Sequence, residues 1–265
     1  MRDSQDQNIR SVFEEGFCAR DIAQSLPSFD AETPLNRAAT IMQETGCSIV
    51  GVRTSGVVSG FIQAESLNGN CCGDAQLPFA PGQLVSGALP LAQLVPRLNE
   101  HPCCFVVAWE QVCGYVRRED VQKPPGRMWL FGMVTLIESR FGRLIETHCT
   151  EEEWKACMSP GRIQKAETLC AERSRSGQHV QLIDCLQFAD KAQIVAHVER
   201  LRKMTRFDSK KQIETIGRKL EKLRNNLAHS QDIIIGDWQT IVTLAENVTS
   251  ILDGPPAQRE QGSIA

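Results

Sequence analysis

The amino-acid sequence predicts an α+β first half followed by an all-α helical bundle. Apolar runs of strand length alternate with helical patterns between residues 30 and 121, whereas apolar residues beyond 127 recur at spacings of three and four. A length of 265 residues, with 42% hydrophobic and 23% charged residues, suits about two domains. The predicted divisions are an N-terminal segment at 1–17, an α/β tandem at 18–122, a linker at 123–126, a helical domain at 127–253 and a flexible tail at 254–265.

The first half reads as one unit repeated. In the first copy, Thr33 and Pro34 suit the first turn of a helix, with Thr as its cap, and Gly46 suits the end of that helix. Two strands at 48–53 and 57–62 and a final helix at 63–67 are predicted to follow. The second copy, roughly 55 residues later, has its helix at 89–98, strands at 103–109 and 112–116, and a final helix at 117–121. Because each unit has only a small sheet, we expect it to bury that sheet against its twin.

The repeat resembles a tandem pair of CBS domains, a family whose members commonly bind adenine nucleotides in the cleft between the two repeats. The residues that carry the resemblance are in the first copy: Thr33-Pro34-Leu35, Ala39, Met42, the strand at 48–52 and the segment 56–60. Family members offer a hydroxyl to phosphate and a carboxylate to ribose from a Gly-x-x-Thr/Ser-x-x-Asp segment. The resemblance therefore implies a nucleotide as a regulatory ligand.

This chain departs from that segment in both copies. The first copy reads Gly60-Phe-Ile-Gln-Ala-Glu-Ser66, without the hydroxyl or the aspartate. The second reads Gly114-Tyr-Val-Arg-Arg-Glu-Asp120, which keeps the aspartate and has Arg117 at the hydroxyl position. The resemblance implies Asp120 as an acceptor for ribose hydroxyls and Arg117 as a partner for phosphate. The alternative is a degenerate pair that only dimerises.

The second half follows Lys123-Pro124-Pro125-Gly126, which predicts a hinge because two prolines and a glycine interrupt regular structure. Helices are predicted at 131–145, 151–156, 163–173, 182–204, 211–229 and 238–252. No strand pattern intervenes, and a helical bundle is therefore expected.

The clearest of these helices ends in Leu223-Arg-Asn-Asn-Leu-Ala-His-Ser230. Arg224 and His229 lie about 140° apart around an ideal helix, because each residue turns it by about 100°. Both can line one site if the helix ends at His229, or if a two-fold axis brings two copies together. The other interpretation is an ordinary helix end, where cations suit the dipole.

The segment resembles the Arg-x4–6-His signature of HEPN domains, all-helical dimeric modules that often act as metal-independent ribonucleases. The polar Asn225 after Arg224 fits the commoner active form, whereas Gln231 replaces the Tyr of a variant that a partner enzyme modifies. The resemblance implies His229 as general acid and base, Arg224 as stabiliser of the phosphorane oxygens and Asn225 as a positioning donor. These roles suit the residues, since His titrates near neutral pH and Arg carries a fixed charge.

Charge differs between the halves. Residues 1–126 contain 9 Lys and Arg against 14 Asp and Glu, whereas 127–265 contain 20 against 18. Residues 200–224 hold 10 basic and 3 acidic residues, which forms a solvated helix face in many proteins and also suits a polyanion. The basic residues that could hold an RNA backbone are Arg200, Arg202, Lys203, Lys210 and Lys211.

The remaining expectations concern location and chemistry. Residues 1–20 lack the apolar region of a secretory signal, and no stretch reaches about 18 apolar residues, which favours a cytoplasmic protein that does not enter a membrane. The 11 cysteines include no Cys-x-x-Cys, and we expect reduced, mostly buried thiols and no metal site. The predicted protein is thus a homodimeric, ligand-responsive endoribonuclease that needs no catalytic cofactor. The alternative is a non-catalytic regulatory module that binds a partner protein or nucleic acid.

Overall fold

The computed structural model describes residues 2–253 except Arg206 and Asp208, without the side chains of residues 2–8, 248–250 and 253. The chain divides into two compact units, Met1–Arg127 and Met128–Ala265. The flexible tail predicted at 254–265 lies outside the described residues. None of the described helices combines the length and apolar character that crossing a bilayer requires.

The first unit is a mixed α/β structure with two small sheets. The described elements are α1 (Arg2–Glu15), α2 (Ala19–Ile22), β1 (Gln24–Ser25), β2 (Ser28–Asp30), α3 (Leu35–Thr45), β3 (Ile49–Thr54), β4 (Val57–Gln63), β5 (Leu84–Ser86), α4 (Leu91–Glu100), β6 (Cys103–Ala108), β7 (Gln111–Arg117) and a 3-10 helix at Arg118–Gln122. One sheet has the strand order β2-β3-β4, and the other has the order β1-β7-β6-β5. The predicted α+β class is confirmed for this unit.

The two sheets repeat one hairpin at an offset of 54 residues. Ile49 pairs with Gln63 in the first hairpin, and Cys103 pairs with Arg117 in the second. Even the irregularity recurs, between residues 52 and 53 and again between 106 and 107. In each copy a short strand, β2 or β5, pairs in parallel with the first strand of the hairpin. The predicted internal repeat is therefore present.

Each sheet is extended by the segment that precedes the other copy. β1 pairs with β7 of the second copy, and Leu77 bridges to Phe61 of the first. A glycine allows the added segment to come close to the sheet in both places. A Cβ at Gly114 would lie 2.7 Å from the carbonyl oxygen of Gln24, and a Cβ at Gly60 would lie 2.5 Å from the carbonyl oxygen of Leu77. A side chain at either glycine would push the added segment off the sheet.

The two sheets also bury each other's inner faces. Ile49 and Phe61 of the first copy share one apolar cluster with Cys103, Phe105 and Tyr115 of the second. The ring centroids of Phe61 and Phe105 lie 4.6 Å apart, within the range for favourable aromatic pairs. As predicted, one copy buries its sheet against its twin.

Two details of the first copy differ from the sequence prediction. The helix predicted at 63–67 does not form, because β4 continues to Gln63 and the chain then turns, with Ser66 N donating to the carbonyl of Gln63. Thr33 does not cap α3: Pro34 occupies the cap position, no side-chain cap bond is present, and the amide of Thr33 donates to the carbonyl of Asp30.

The second unit contains helices and no strand among its described residues. They are α5 (Pro124–His148), whose first turn belongs to the first unit, α6 (Glu151–Lys155), α7 (Pro160–Arg175), a 3-10 helix at Leu182–Cys185, α8 (Phe188–His197), α9 (Glu199–Lys203), α10 (Lys210–Ala228) and α11 (Trp238–Asp253). The segment 123–126, predicted as a linker, is mostly the first turn of α5, a position that suits proline because its missing N–H has no helical acceptor there.

The single helix predicted at 182–204 is divided into three. Asp184 accepts a hydrogen bond from the amide of Gln181, and Asp190 accepts one from the amide of Gln187. Each carboxylate therefore begins a new helical segment, since it satisfies an amide that has no acceptor at a helix start. Val198, in an extended conformation, separates α8 from α9.

Candidate functional site

The first candidate site is a pocket of about 320 Å³ where the two hairpins meet in the first unit. Its lining comes in equivalent pairs from the two copies: Ile49 and Cys103, Gln63 and Arg117, Glu65 and Glu119, with Ser48 and Pro102 completing it. Because the starts of β3 and β6 and the ends of β4 and β7 face each other, one copy alone cannot form this pocket.

Arg117 is the cation of this pocket. Its Nη1 donates to the Oγ of Ser48 in the other copy at 3.0 Å, and its guanidinium carbon lies 5.8 Å from the ring centre of Tyr115. Its Nε is buried and has no hydrogen-bond acceptor among the described residues; Oε2 of Glu119 is 4.0 Å away. A buried guanidinium N–H without an acceptor is costly, and an oxygen of a bound anion would satisfy it.

Asp120, expected to accept ribose hydroxyls, lies beside the pocket and not in its lining. Its side chain is 4% exposed. The carboxylate accepts hydrogen bonds from the amide of Arg117 at 2.7 Å and from Nε2 of Gln24 at 2.8 Å, and it pairs with Nζ of Lys123 at 3.0 Å. These contacts give Asp120 a structural role: it caps the 3-10 helix and anchors β1 to β7.

Two carboxylates that the sequence analysis did not single out lie in the pocket itself. Glu65 and Glu119 are separated by the 54-residue offset of the repeat. The repeat itself could have identified them, because Glu65 and Glu119 occupy equivalent positions, each two residues after the end of its strand. Ser48 carried no signal in the sequence.

Burial controls the chemistry of the thiols next to the pocket. It raises the pKa of Cys103 to about 11 and that of Cys104 to about 12. Both stay protonated near neutral pH and therefore make poor nucleophiles and metal ligands. All 11 cysteines are free; five are buried, five are half-buried and Cys113 is exposed, so fewer are fully buried than expected.

The second candidate site is the C-terminal end of α10. The helix ends at Ala228 and His229 is its C-cap, which is the condition for Arg224 and His229 to line one site within a single chain. Asn225 and His229 are exposed, whereas Arg224 is half-buried. The Nε of Arg224 is buried and has no hydrogen-bond acceptor among the described residues.

The neighbouring asparagine of the same motif has a different role. Nδ2 of Asn226 donates to Oδ2 of Asp237 at 2.5 Å, and Nζ of Lys222 donates to Oδ1 of that carboxylate at 3.0 Å. Asp237 is buried, with 4% of its side chain exposed, and directly precedes α11. The network ties the end of α10 to the start of α11. Asp237 directly precedes the helix predicted at 238–252, which is a signal for a helix cap, but nothing in the sequence indicated its contacts with Lys222 and Asn226.

Three of the five basic residues proposed for RNA are used within the fold. Arg200 donates to the carbonyl of His148 and to Glu153, and this hydrogen bond is the main cause that lowers the pKa of Glu153. Arg202 donates to the carbonyl of Ala196, and Lys203 pairs with Glu199. Lys210 and Lys211, in contrast, are exposed and make no ion pair with a described residue.

Comparison with known proteins gives structural neighbours only. No family model and no curated protein matches the sequence. The neighbours resemble the N-terminal part. The CBS domain of a bacterial CNNM/CorC family Mg2+ transporter, in complex with ATP, shares 18% identity over 46% of this chain and 94% of its own, with a TM-score of 0.36. The CBS-pair protein CBSX2 from Arabidopsis thaliana shares 17% over 40% and 91%, with a TM-score of 0.35. A hemolysin-like protein containing a CBS domain from Oenococcus oeni shares 11% over 44% and 95%, with a TM-score of 0.36.

These TM-scores are below 0.5. The description of the first unit as a tandem α/β repeat therefore rests on its own strand registers and its shared core. The likeness to these neighbours gives no information about what this chain binds.

Proposed function

We propose that the first unit is a CBS-like regulatory pair that binds a small phosphate-bearing ligand between its two repeats. The observation that carries the proposal is Arg117, whose buried Nε has no hydrogen-bond acceptor within the described part of the chain, while its Nη1 reaches across to Ser48. A phosphate oxygen in the pocket would accept from the guanidinium and from the Ser48 hydroxyl together. Such a ligand contacts both copies and would hold them in one arrangement.

An adenine nucleotide is the ligand that we propose, as the resemblance to CBS domains implies. In this chain the carboxylate for ribose is assigned to Glu119 or Glu65, because both line the pocket and Asp120 is already used. Arg117 would also offset the charge of these two carboxylates, which by themselves repel phosphate.

Calorimetric titration with AMP, ADP and ATP tests this proposal. Wild-type protein is expected to bind at least one of the three, and Arg117→Ala to weaken binding by about tenfold or more, since a hydrogen bond to a charged group is worth about 1.5–3 kcal/mol. The matched control is Arg53→Ala, a half-buried arginine of the same unit that pairs with Asp30 outside the pocket. Absence of binding in wild type, or equal losses in the two variants, would contradict the proposal.

For the helical unit we propose a HEPN-like, metal-independent endoribonuclease in a homodimer. The observation that favours it is the end of α10, where the buried Nε of Arg224 has no acceptor among the residues that the structure describes and His229 is exposed at the cap. In this mechanism His229 takes the proton from the 2′-hydroxyl or returns one to the leaving 5′-oxygen, and Arg224 stabilises the negative charge on the phosphorane. Asn225 is assigned to position the scissile phosphate.

Cleavage of end-labelled RNA by purified protein in EDTA tests this second proposal. Wild type is expected to leave 2′,3′-cyclic phosphate ends, and His229→Ala to lose cleavage by about 10²-fold or more while it keeps RNA binding. His179→Ala is the control, because His179 is another exposed histidine of this unit. If wild type and His229→Ala both bind RNA and neither cleaves it, the alternative of a non-catalytic binding module takes precedence.

A further inference from the structure

A groove between α10 and α11 is unrelated to either candidate site. Its volume is about 410 Å³. The end of α10 meets the start of α11, where Lys222 and Asn226 contact Asp237, and residues of both helices line the groove. The described lining residues are Phe207, Ser209, Lys211, Gln212, Thr215, Ile216, Lys219, Thr240, Thr243, Asn247 and Ile251.

The charge of the groove is uniformly positive among its lining residues. Lys211 and Lys219 are exposed, and neither makes a hydrogen bond or ion pair within the part of the chain that the structure describes. None of the lining residues that the structure describes is an aspartate or a glutamate. By contrast, Lys222, one turn beyond Lys219, is paired with Asp237. The groove therefore keeps two ammonium groups for an external anion.

The opposite wall supplies neutral hydrogen-bonding groups. Thr240 is 5% exposed, and its hydroxyl makes no hydrogen bond to a described residue although Thr240 lines the groove. Thr243 and Asn247 follow it at intervals of three and four residues along α11. The Thr240 oxygen is not among the fully buried side-chain atoms without a partner, so its hydroxyl is open to the groove and can donate to a ligand oxygen there.

The shape suits an extended anion better than a compact one. Lys211 and Lys219 are separated by about 12 Å along the axis of α10, at 1.5 Å per residue. Phe207, Ile216 and Ile251 give apolar surface between the polar walls. Single-stranded nucleic acid fits this combination, because positive charge follows its backbone while aromatic and apolar side chains contact its bases.

We propose that the groove between α10 and α11 binds single-stranded nucleic acid, with Lys211 and Lys219 on successive parts of the phosphate backbone and Thr240 donating to the strand. The inference rests on the proposed ribonuclease only in the expectation that the natural strand is RNA. It moves the nucleic-acid surface away from Arg200, Arg202 and Lys203, whose side chains hold the fold.

Fluorescence anisotropy with labelled 12-nucleotide oligouridylate and oligodeoxythymidylate tests the groove. The Lys211→Gln/Lys219→Gln variant is expected to bind both strands at least about tenfold more weakly. Its plot of log affinity against log salt should be shallower by about 1.4, since each single-strand phosphate contact contributes about 0.7. The control is Lys165→Gln/Arg175→Gln, which removes two positive charges from exposed positions of α7 outside the groove.

Thr240→Val keeps the charge and the side-chain shape, and it is expected to weaken binding by about threefold to tenfold, as the loss of one hydrogen bond does. Equal weakening in the groove variant and the α7 control, or full affinity in both Lys211→Gln/Lys219→Gln and Thr240→Val, would overturn the inference. Oligodeoxythymidylate has no 2′-hydroxyl and cannot be cleaved by the proposed chemistry. Groove-dependent binding of that strand therefore supports the inference even if the ribonuclease proposal fails.

Discussion

The two adjacent asparagines of the Arg-Asn-Asn-Leu-Ala-His segment have different expected roles: Asn226 stabilises the fold, and Asn225 is proposed to act in catalysis. Asn226→Ala removes the donor to Asp237 and leaves that buried carboxylate with Lys222, whose side chain is 62% exposed. A hydrogen bond to a charged group contributes about 1.5–3 kcal/mol. Alanine regains about 0.6 kcal/mol of helix propensity. We therefore expect a net loss of about 1–2.5 kcal/mol in the free energy of unfolding.

Asn225→Ala is the matched variant, since it makes the same change one residue earlier at an exposed position. Its free energy of unfolding is expected to stay the same or to rise by about 0.5 kcal/mol, whereas RNA cleavage should fall. Urea unfolding monitored by circular dichroism measures both variants. The reasoning would be refuted if Asn225→Ala lost as much stability as Asn226→Ala, or if Asn226→Ala lost none.

Two further predictions concern packing and pH. Gly217→Ala is expected to destabilise the helical unit by about 1–2 kcal/mol, because a Cβ there would overlap that of Ala192. Gly142→Ala has open space around the added Cβ and should stabilise the unit by about 0.5–1 kcal/mol. Equal effects of the two substitutions in thermal unfolding would contradict this prediction. The raised pKa values of Cys103 and Cys104 predict that stability falls as pH rises from about 9 towards 11–12, since over that range the unfolded chain loses protons that the folded chain keeps. A Cys103→Ala/Cys104→Ala variant should show a shallower fall in alkaline urea unfolding, and an unchanged slope would argue against these two thiols as its source.

The repeat in the first half was predictable because strand patterning and turn residues are local signals. Ser55 and Gly56, which lie between the two strands predicted at 48–53 and 57–62, both adopt positive φ angles, as a tight hairpin requires. In the second copy Trp109 and Glu110 occupy the equivalent positions with positive φ, although neither residue favours that conformation. Pairing of the flanking strands outweighs this local preference, and such tertiary control is not visible in a sequence window.

The candidate sites were predicted less completely, because the role of a side chain depends on its contacts with residues that are distant in the sequence. Arg117 lies in the expected cleft, but its partner Ser48 is 69 residues away in the sequence. Asp120 was assigned to a ligand because nothing in the sequence showed that Gln24 and Lys123 would reach its carboxylate. At the end of α10, the helix boundary was predicted to within one residue, since apolar spacing and the end of the pattern coincide there.

Taken together, the two proposals describe the ligand-responsive endoribonuclease predicted from the sequence, in which a nucleotide bound by the first unit would change the rate of RNA cleavage by the helical unit. The measurement that tests it most directly is the rate of cleavage of labelled RNA in EDTA, with and without a saturating adenine nucleotide, for wild type, Arg117→Ala and His229→Ala. We expect the nucleotide to change the rate in wild type but not in Arg117→Ala, and His229→Ala to cleave in neither condition. A wild-type rate that does not respond to the nucleotide, or cleavage that survives in His229→Ala, would contradict the account.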